Sequence, residues 1–252
     1  GCIQQKSASV KIGRTHRYFT ICVVILFMTD DQSDEIIGQT STRRRALKLA
    51  GGSTTAMLLG TAPATAQAED RRKWTFETVG QAASSPTVVN KTVYIGSNDT
   101  NLYAIDIESG DEKWRFQTGA SITSSPNVVD GTAYIGSEDS RLYAVDAETG
   151  NQKWRSSLLA PDEIDSSPTV KNGTVFVGND SGTLYAANAV TGDRKWIFQR
   201  SNEIESSPTV ANGSVYIGIN DDGLYSLNAE NGDQEWYFET DVRTSSPTVT
   251  GD

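Results

Sequence analysis

Histidine and cysteine are almost missing from this chain. Its 252 residues hold one His, His16, and two Cys, Cys2 and Cys22. All three sit near the N-terminus, so nothing after Cys22 can supply thiol catalysis, a disulfide, a histidine base or a Cys/His zinc site. Basic charge is also short: 22 Lys and Arg stand against 32 Asp and Glu, a net charge of −10. That balance argues against a nucleic-acid partner, because phosphates need a basic face. Long apolar runs are missing too. Phe19 to Met28 is apolar over only ten residues, half of the ~20 a spanning helix needs, so no stable membrane anchor is expected. What remains, 37% hydrophobic with 22 Gly and five Trp, is the composition of a globular chain.

The front of the chain is unlike the rest. Ser41-Thr42-Arg43-Arg44-Arg45-Ala46-Leu47-Lys48 places an Arg pair, Arg43 and Arg44, before a Leu and a Lys. A Gly/Ala/Leu-rich stretch follows from Leu49 to Leu59, then Ala64-Thr65-Ala66-Gln67-Ala68. Basic region, short apolar region and A-x-A site in this order resemble a twin-arginine signal peptide, with cleavage expected near Ala68. No Cys follows the apolar stretch, which argues against a lipid anchor. Residues 28–68 are read as the signal region and Met28 as the initiator, leaving residues 1–27 as a spurious upstream extension or a disordered segment. Eight of the basic and four of the acidic residues precede Glu69, so residues 69–252 carry 14 against 28, a net −14. Such a surface resists aggregation. With the signal, it resembles an exported protein of a salt-loving archaeon.

From Trp74 onward the sequence repeats itself. Trp74, Trp114, Trp154, Trp196 and Trp236 are 40, 40, 42 and 40 residues apart. Ser-Ser-Pro recurs at Pro86, Pro126, Pro168, Pro208 and Pro247, and Leu-Tyr at Tyr103, Tyr143, Tyr185 and Tyr225. Each unit reads as four short strands. The first begins at Pro, where a strand tolerates it. The second follows a tight turn, Asn172-Gly173 and Asn212-Gly213 in the later units, a strong hairpin signal. The fourth, as in Glu112-Lys113-Trp114-Arg115-Phe116-Gln117, alternates aromatic and charged residues like a half-exposed outer strand. Four strands per 40-odd residues predict an all-β chain of β-propeller blades. The units are about 79–118, 119–158, 159–200 and 201–240, with a partial fifth at 241–252. Trp74–Thr78 is an orphan fourth strand in front and Ser246–Thr250 a lone first strand behind, so about four complete blades form a partial ring.

The segment joining strands three and four, Ala104 to Trp114, recurs as Ala144–Trp154, Ala186–Trp196 and Ser226–Trp236. It resembles the A-x-D-x-x-T-G-x-x-x-W pattern of the pyrroloquinoline-quinone (PQQ) propeller repeat. Gly110, Gly150, Gly192 and Gly232 give the turn its backbone freedom. The resemblance implies that Trp114, Trp154, Trp196 and Trp236 dock on the neighbouring blade, and that a full ring has seven or eight blades. The departures are Asn188 and Asn228 for the Asp, Ser226 for the Ala, and Ser109 and Asn231 for the Thr. They are expected to weaken single turns only.

The same resemblance raises quinone-dependent dehydrogenases, which carry a catalytic Asp, a calcium site and commonly an adjacent-cysteine disulfide. No Cys pair and no recognisable catalytic acid is present here, so no catalytic residue is assigned. PQQ with calcium belongs only to the alternative reading, an N-terminal fragment of a PQQ-dependent oxidoreductase. The favoured reading is a noncatalytic extracytoplasmic binding or scaffold propeller, with an unknown protein or small ligand at its face. The candidate residues are acids in the loops entering Ser-Ser-Pro: Glu163 and Asp165 in one unit, Glu203 and Glu205 in the next. Equivalent loops share one face of a propeller, so these four are expected to be neighbours able to meet a cation or a basic peptide, or simply to be a solvated acidic surface. Asn179-Asp180-Ser181-Gly182 and Asn220-Asp221-Asp222-Gly223 are read as turns between strands two and three.

Overall fold

The computed structural model describes residues 8–15, 18–25, 74–157, 162–240 and 245–250. The export-signal residues Arg43 and Arg44 and the expected cleavage at Ala68 lie outside the described residues, as do Cys2 and His16. Four antiparallel sheets of four strands each follow one another along the chain. Blade 1 is β4 (Thr87–Val89), β5 (Thr92–Gly96), β6 (Asn101–Asp106) and β7 (Glu112–Gln117). Blade 2 is β8 (Asn127–Val129), β9 (Thr132–Ser137), β10 (Arg141–Asp146) and β11 (Gln152–Ser157). Blade 3 is β12 (Thr169–Lys171), β13 (Thr174–Gly178), β14 (Thr183–Asn188) and β15 (Arg194–Gln199). Blade 4 is β16 (Thr209–Ala211), β17 (Ser214–Ile219), β18 (Gly223–Asn228) and β19 (Gln234–Glu239). The chain is all-β, as its periodicity predicts, with four four-stranded blades in a partial ring.

Ahead of them, β1 (Ala8–Thr15), β2 (Tyr18–Ile25) and β3 (Trp74–Thr78) form a three-stranded sheet. Its backbone register matches a blade. Val23 lies opposite Trp74 as Ala104 lies opposite Trp114, and Val10 lies opposite Val23 as Tyr94 lies opposite Ala104. β1, β2 and β3 thus take the places of strands two, three and four. The orphan strand of the sequence reading has a hairpin beside it that local pattern did not announce.

Each blade is a meander because its turns are short and chemically suited. The turn between strands one and two has positive φ at both central residues in every blade, at Asn90-Lys91, Asp130-Gly131, Asn172-Gly173 and Asn212-Gly213. This is the geometry whose twist matches a right-handed hairpin. Between strands three and four, the Asp106 carboxylate accepts the N–H groups of Glu108 and Ser109 at 2.8 and 3.1 Å. Asn188 does the same for Val190 and Thr191 at 2.8 and 3.1 Å. An amide oxygen accepts the same two N–H groups without the carboxylate's charge, so the Asp-to-Asn departures keep the turn's geometry.

The core lies between blades rather than within one. Tyr94, Leu102 and Ala104 of blade 1 pack with Ala133, Ile135 and Tyr143 of blade 2. Phe176, Leu184 and Trp196 of blade 3 pack with Val215, Ile217 and Leu227 of blade 4. Strands with both faces covered are apolar at successive positions, which is why Thr92–Gly96 is buried throughout.

Two sets of contacts stitch blade to blade. Trp114 lies on the turn of blade 2, its indole N–H donating to the Ala147 carbonyl at 3.2 Å. Trp154 and Trp196 repeat this with Ala189 at 3.0 Å and Ala229 at 3.2 Å. A Cβ on Gly150, Gly192 or Gly232 would fall 2.6–2.8 Å from the docked ring, so the repeat glycine is required by close approach as well as by its positive φ. Trp236 has no such turn against it among the described residues, and it is 45% exposed beside the exposed Tyr237 and Phe238.

The second set is Ser-Ser-Pro. The first serine is buried and ties its loop to strand two: Ser166 Oγ accepts the Gly178 N–H at 2.7 Å and donates to the Gly178 carbonyl at 3.0 Å. The second reaches across blades, since Ser85, Ser125 and Ser167 each donate their N–H to the hydroxyl of the next blade's serine, at 3.0, 2.8 and 3.2 Å. Ser207 donates to Ser246 Oγ in the same way at 2.9 Å, so residues 245–250 begin as another blade would.

Candidate functional site

Antiparallel order sends the loop entering Ser-Ser-Pro and the turn between strands two and three to the same end of every blade. There, the second residue after the strand-two glycine donates its N–H to the loop: Asn98 to Gln81 at 2.8 Å, and Glu138 to Ser121, Asp180 to Glu163 and Asn220 to Glu203 at 3.1 Å each. The next blade fills the gap behind. Ile122, Ile164 and Ile204 are fully buried against Gly96, Gly136 and Gly178, where a Cβ would meet the isoleucine at 2.3 Å. The acidic loops are therefore held on both sides by backbone and packing.

The four sequence-predicted acids fall into two groups. In blade 3, Glu163 and Asp165 come together with Asp180, each with an oxygen within 4.8 Å of the others. In blade 4, the Asn220 amide donates to Glu205 at 3.1 Å and to Glu203 at 3.5 Å, tying that pair into the turn. Asp165 also accepts the Thr123 hydroxyl of blade 2. Asp180 was assigned to a turn by its sequence, yet the turn work is done by Asn179, whose side-chain oxygen accepts the Thr183 N–H and the Ser181 hydroxyl at 2.9 Å each. The Asp180 carboxylate faces the loop instead, with one buried oxygen, Oδ1, that accepts no hydrogen bond among the described residues. Its sequence signal was positional: it is the blade-3 counterpart of Asn220, two residues after the strand-two glycine.

Burial pushes the Asp180 carboxyl up to about 7, helped by the nearby charges of Asp165, Glu203, Asp162 and Glu163. Glu163 is also raised, first by desolvation and then by Glu138, Asp165 and Asp162. Like charges brought together on partly dry backbone disfavour ionisation of the most enclosed member. The arrangement can share a proton, accept hydrogen bonds from a cationic group, or offer oxygens to a hard cation. Among the described residues, no helix is long and apolar enough to cross a membrane.

Solved structures place this fold among propellers. The chain is similar to BamB from Moraxella catarrhalis, with a TM-score of 0.62 and 17% identity, covering 69% of this chain and 58% of that one. It is also similar to the quinohemoprotein alcohol dehydrogenase from Comamonas testosteroni, with a TM-score of 0.58 and 18% identity, covering 63% and 35%. The computationally designed Ika8 protein gives a TM-score of 0.60 at 15% identity, covering 67% and 52%. Likeness at this identity speaks for the fold alone, since one architecture hosts unrelated chemistry. No curated protein matches the chain. A family model does: outer membrane protein assembly factor BamB matches residues 59–163 and 154–252. With that match covering most of the chain, the protein belongs to the BamB-type family of PQQ-like propeller repeats.

Proposed function

We propose that this protein is a noncatalytic, extracytoplasmic binding propeller whose acidic blade end engages a basic segment of a partner protein. The observation that carries this reading is Asp180, held with Glu163 and Asp165 while its pKa stands near 7. A cationic partner would relieve that crowding, and the strain points to a surface suited to a counter-charge. The repeat residues themselves are engaged elsewhere: the tryptophans, glycines and serines hold blades together. Family membership supports the reading, because the matched model is named for an assembly factor. Export by the twin-arginine route, with cleavage near Ala68 that would part β1 and β2 from β3, and a haloarchaeal origin complete the proposal; the Arg43-Arg44 pair and the acidic balance of residues 69–252 support them.

The alternative, a piece of a PQQ-dependent oxidoreductase, predicts a different response to added compounds. The full chain would be titrated with a fluorescent Lys/Arg-rich peptide, with calcium alone, and with PQQ plus calcium in a dye-reduction assay. Saturable peptide binding that weakens with salt and with a Glu163→Gln/Asp165→Asn pair is expected, without PQQ-dependent dye reduction. Peptide binding unaltered by that pair, or quinone-dependent turnover, would sink the proposal.

A further inference from the structure

At the opposite blade end, where the turns between strands one and two and between three and four lie, a cleft of about 550 Å³ opens between blades 3 and 4. That volume is within the ~300–1,000 Å³ usual for small-molecule sites. It opens where the repeat changes. In blades 1 and 2 the strand-two aromatic is a tyrosine whose hydroxyl crosses to the next blade, Tyr94 to the Ala147 carbonyl at 2.9 Å and Tyr134 to Ala189 at 3.0 Å. Blade 3 has Phe176 there, and among the described residues the Ala229 carbonyl receives only the Trp196 indole, at 3.2 Å. A hydroxyl is missing from the gap.

A carboxylate is missing as well. The outer-strand lysine of blades 1 and 2 faces an aspartate of its own blade, Lys113 to Asp106 at 3.5 Å and Lys153 to Asp146 at 3.4 Å. In blade 3 that aspartate is Asn188, and among the described residues Lys195 keeps only the Thr174 hydroxyl, at 2.6 Å. Blade 4 also has an asparagine, Asn228, but its lysine is replaced by Glu235, bonded to Ser214 and Ser226 at 2.7 Å each. Blade 3 is therefore the one complete blade that keeps the lysine without its carboxylate. Lys171, where blades 1 and 2 have Val89 and Val129, adds a second cation to the lining. Neither lysine has an ion pair among the described residues. Against them stands the exposed Glu230, leaving the lining one positive charge in excess, while Phe176, Val210 and Ala229 make its apolar part.

We infer that this cleft is a binding site for a small organic anion, a carboxylate on an apolar body, held by Lys195 and Lys171 over Phe176. The carboxylate would pair with the Lys195 ammonium as Asp106 and Asp146 pair with the lysines of their blades, and the body would lie in the cleft against Phe176, Val210 and Ala229. The site differs in position and in charge sign from the acidic end and does not depend on the function proposed above.

The test is a ¹⁹F NMR titration of the full chain with 4-fluorobenzoate, and inorganic phosphate as a competitor without an apolar body. Saturable 4-fluorobenzoate binding is expected, with phosphate at least about tenfold weaker. Phe176→Tyr and Asn188→Asp, which install what neighbouring blades already use, should each weaken binding by about tenfold or more while melting no earlier than wild type. Glu230→Gln should tighten it a few fold. No saturable binding by wild type, equal binding of phosphate, or undiminished binding by both blade-like variants would overturn the inference.

Discussion

Replacing Asp180 with asparagine tests the crowded acidic end most directly. The Asp180 carboxyl stands at about 7 rather than 3.8, chiefly through burial and then through Asp165, Glu203, Asp162 and Glu163. A displacement of that size corresponds to a penalty of about 4 kcal/mol on the charged form if nothing is screened. Asp180 is only half-buried, so solvent screening reduces the net effect to roughly 1–2 kcal/mol. The sign follows from proton counting. Between pH 3.8 and about 7 the folded protein holds a proton that the unfolded chain has lost, so this group's contribution to stability falls as pH rises through that window and is level above it. Asp180→Asn removes the charge and copies blade 4, where Asn220 donates to Glu205 at 3.1 Å. The variant should therefore exceed wild type by about 1–2 kcal/mol at pH 8, roughly 3–6 °C in melting temperature, and match it near pH 4. Urea unfolding across pH 4–8 at low salt reads both. Parallel pH profiles for the two proteins would refute the reasoning, because the penalty would then not reside in this carboxylate.

Two further changes examine the blade contacts. Gly192→Ala puts a Cβ 2.7 Å from the Trp154 ring at a φ of +77°, whereas Gly173→Ala, at +69°, meets nothing within 4 Å. Both carry the left-handed penalty of about 1–2 kcal/mol, but only the first must also displace a docked ring, so by urea unfolding it should be worse by a further ~1–3 kcal/mol. Ser166→Ala strips the hydroxyl that serves both backbone groups of Gly178 in a fully buried place. A loss of roughly 1–3 kcal/mol is expected, with faster hydrogen exchange at the Gly178 amide as the local readout.

The blades were legible in the sequence because their determinants are local or recur at fixed spacing. The turn at Asn172-Gly173, the glycine at 192 and the tryptophan at 196 each declare a backbone need or a packing role, and four copies remove ambiguity. Contacts between blades were less legible. Pro168 marked a strand start, but the first serine before it is explained by Gly178, twelve residues on, and the second by the Ser125 N–H, some 40 residues back, that its hydroxyl accepts. The hairpin of β1 and β2 was hidden for the same reason: its place is fixed by pairing with β3, about fifty residues downstream of β2. Among the candidate acids, Glu163 and Asp165 were found by their loop, while Asp180 was concealed by neighbours that form a good turn.

In a repeat protein the residues that recur report how the ring is held, so distinct chemistry must be sought where one copy departs from the others. Three variable positions meet in blade 3. Asp180 stands where blades 1 and 4 have Asn98 and Asn220 and blade 2 has Glu138, Phe176 where every other blade has a tyrosine, and Asn188 where blades 1 and 2 have Asp106 and Asp146 and blade 4 has Asn228. None disturbs its blade: the strand pairing of β12 to β15 and the turn after β14 match those of blade 1. Each instead changes a polar group at one end of the blade. One end is left with crowded negative charge and the other with a lysine that has no ion pair among the described residues, beside an open cleft. A buried oxygen without a hydrogen bond, as Asp180 Oδ1 is among the described residues, is destabilising unless something outside the chain meets it, and that physical argument, rather than the family's name, carries the proposal that blade 3 is where this propeller binds.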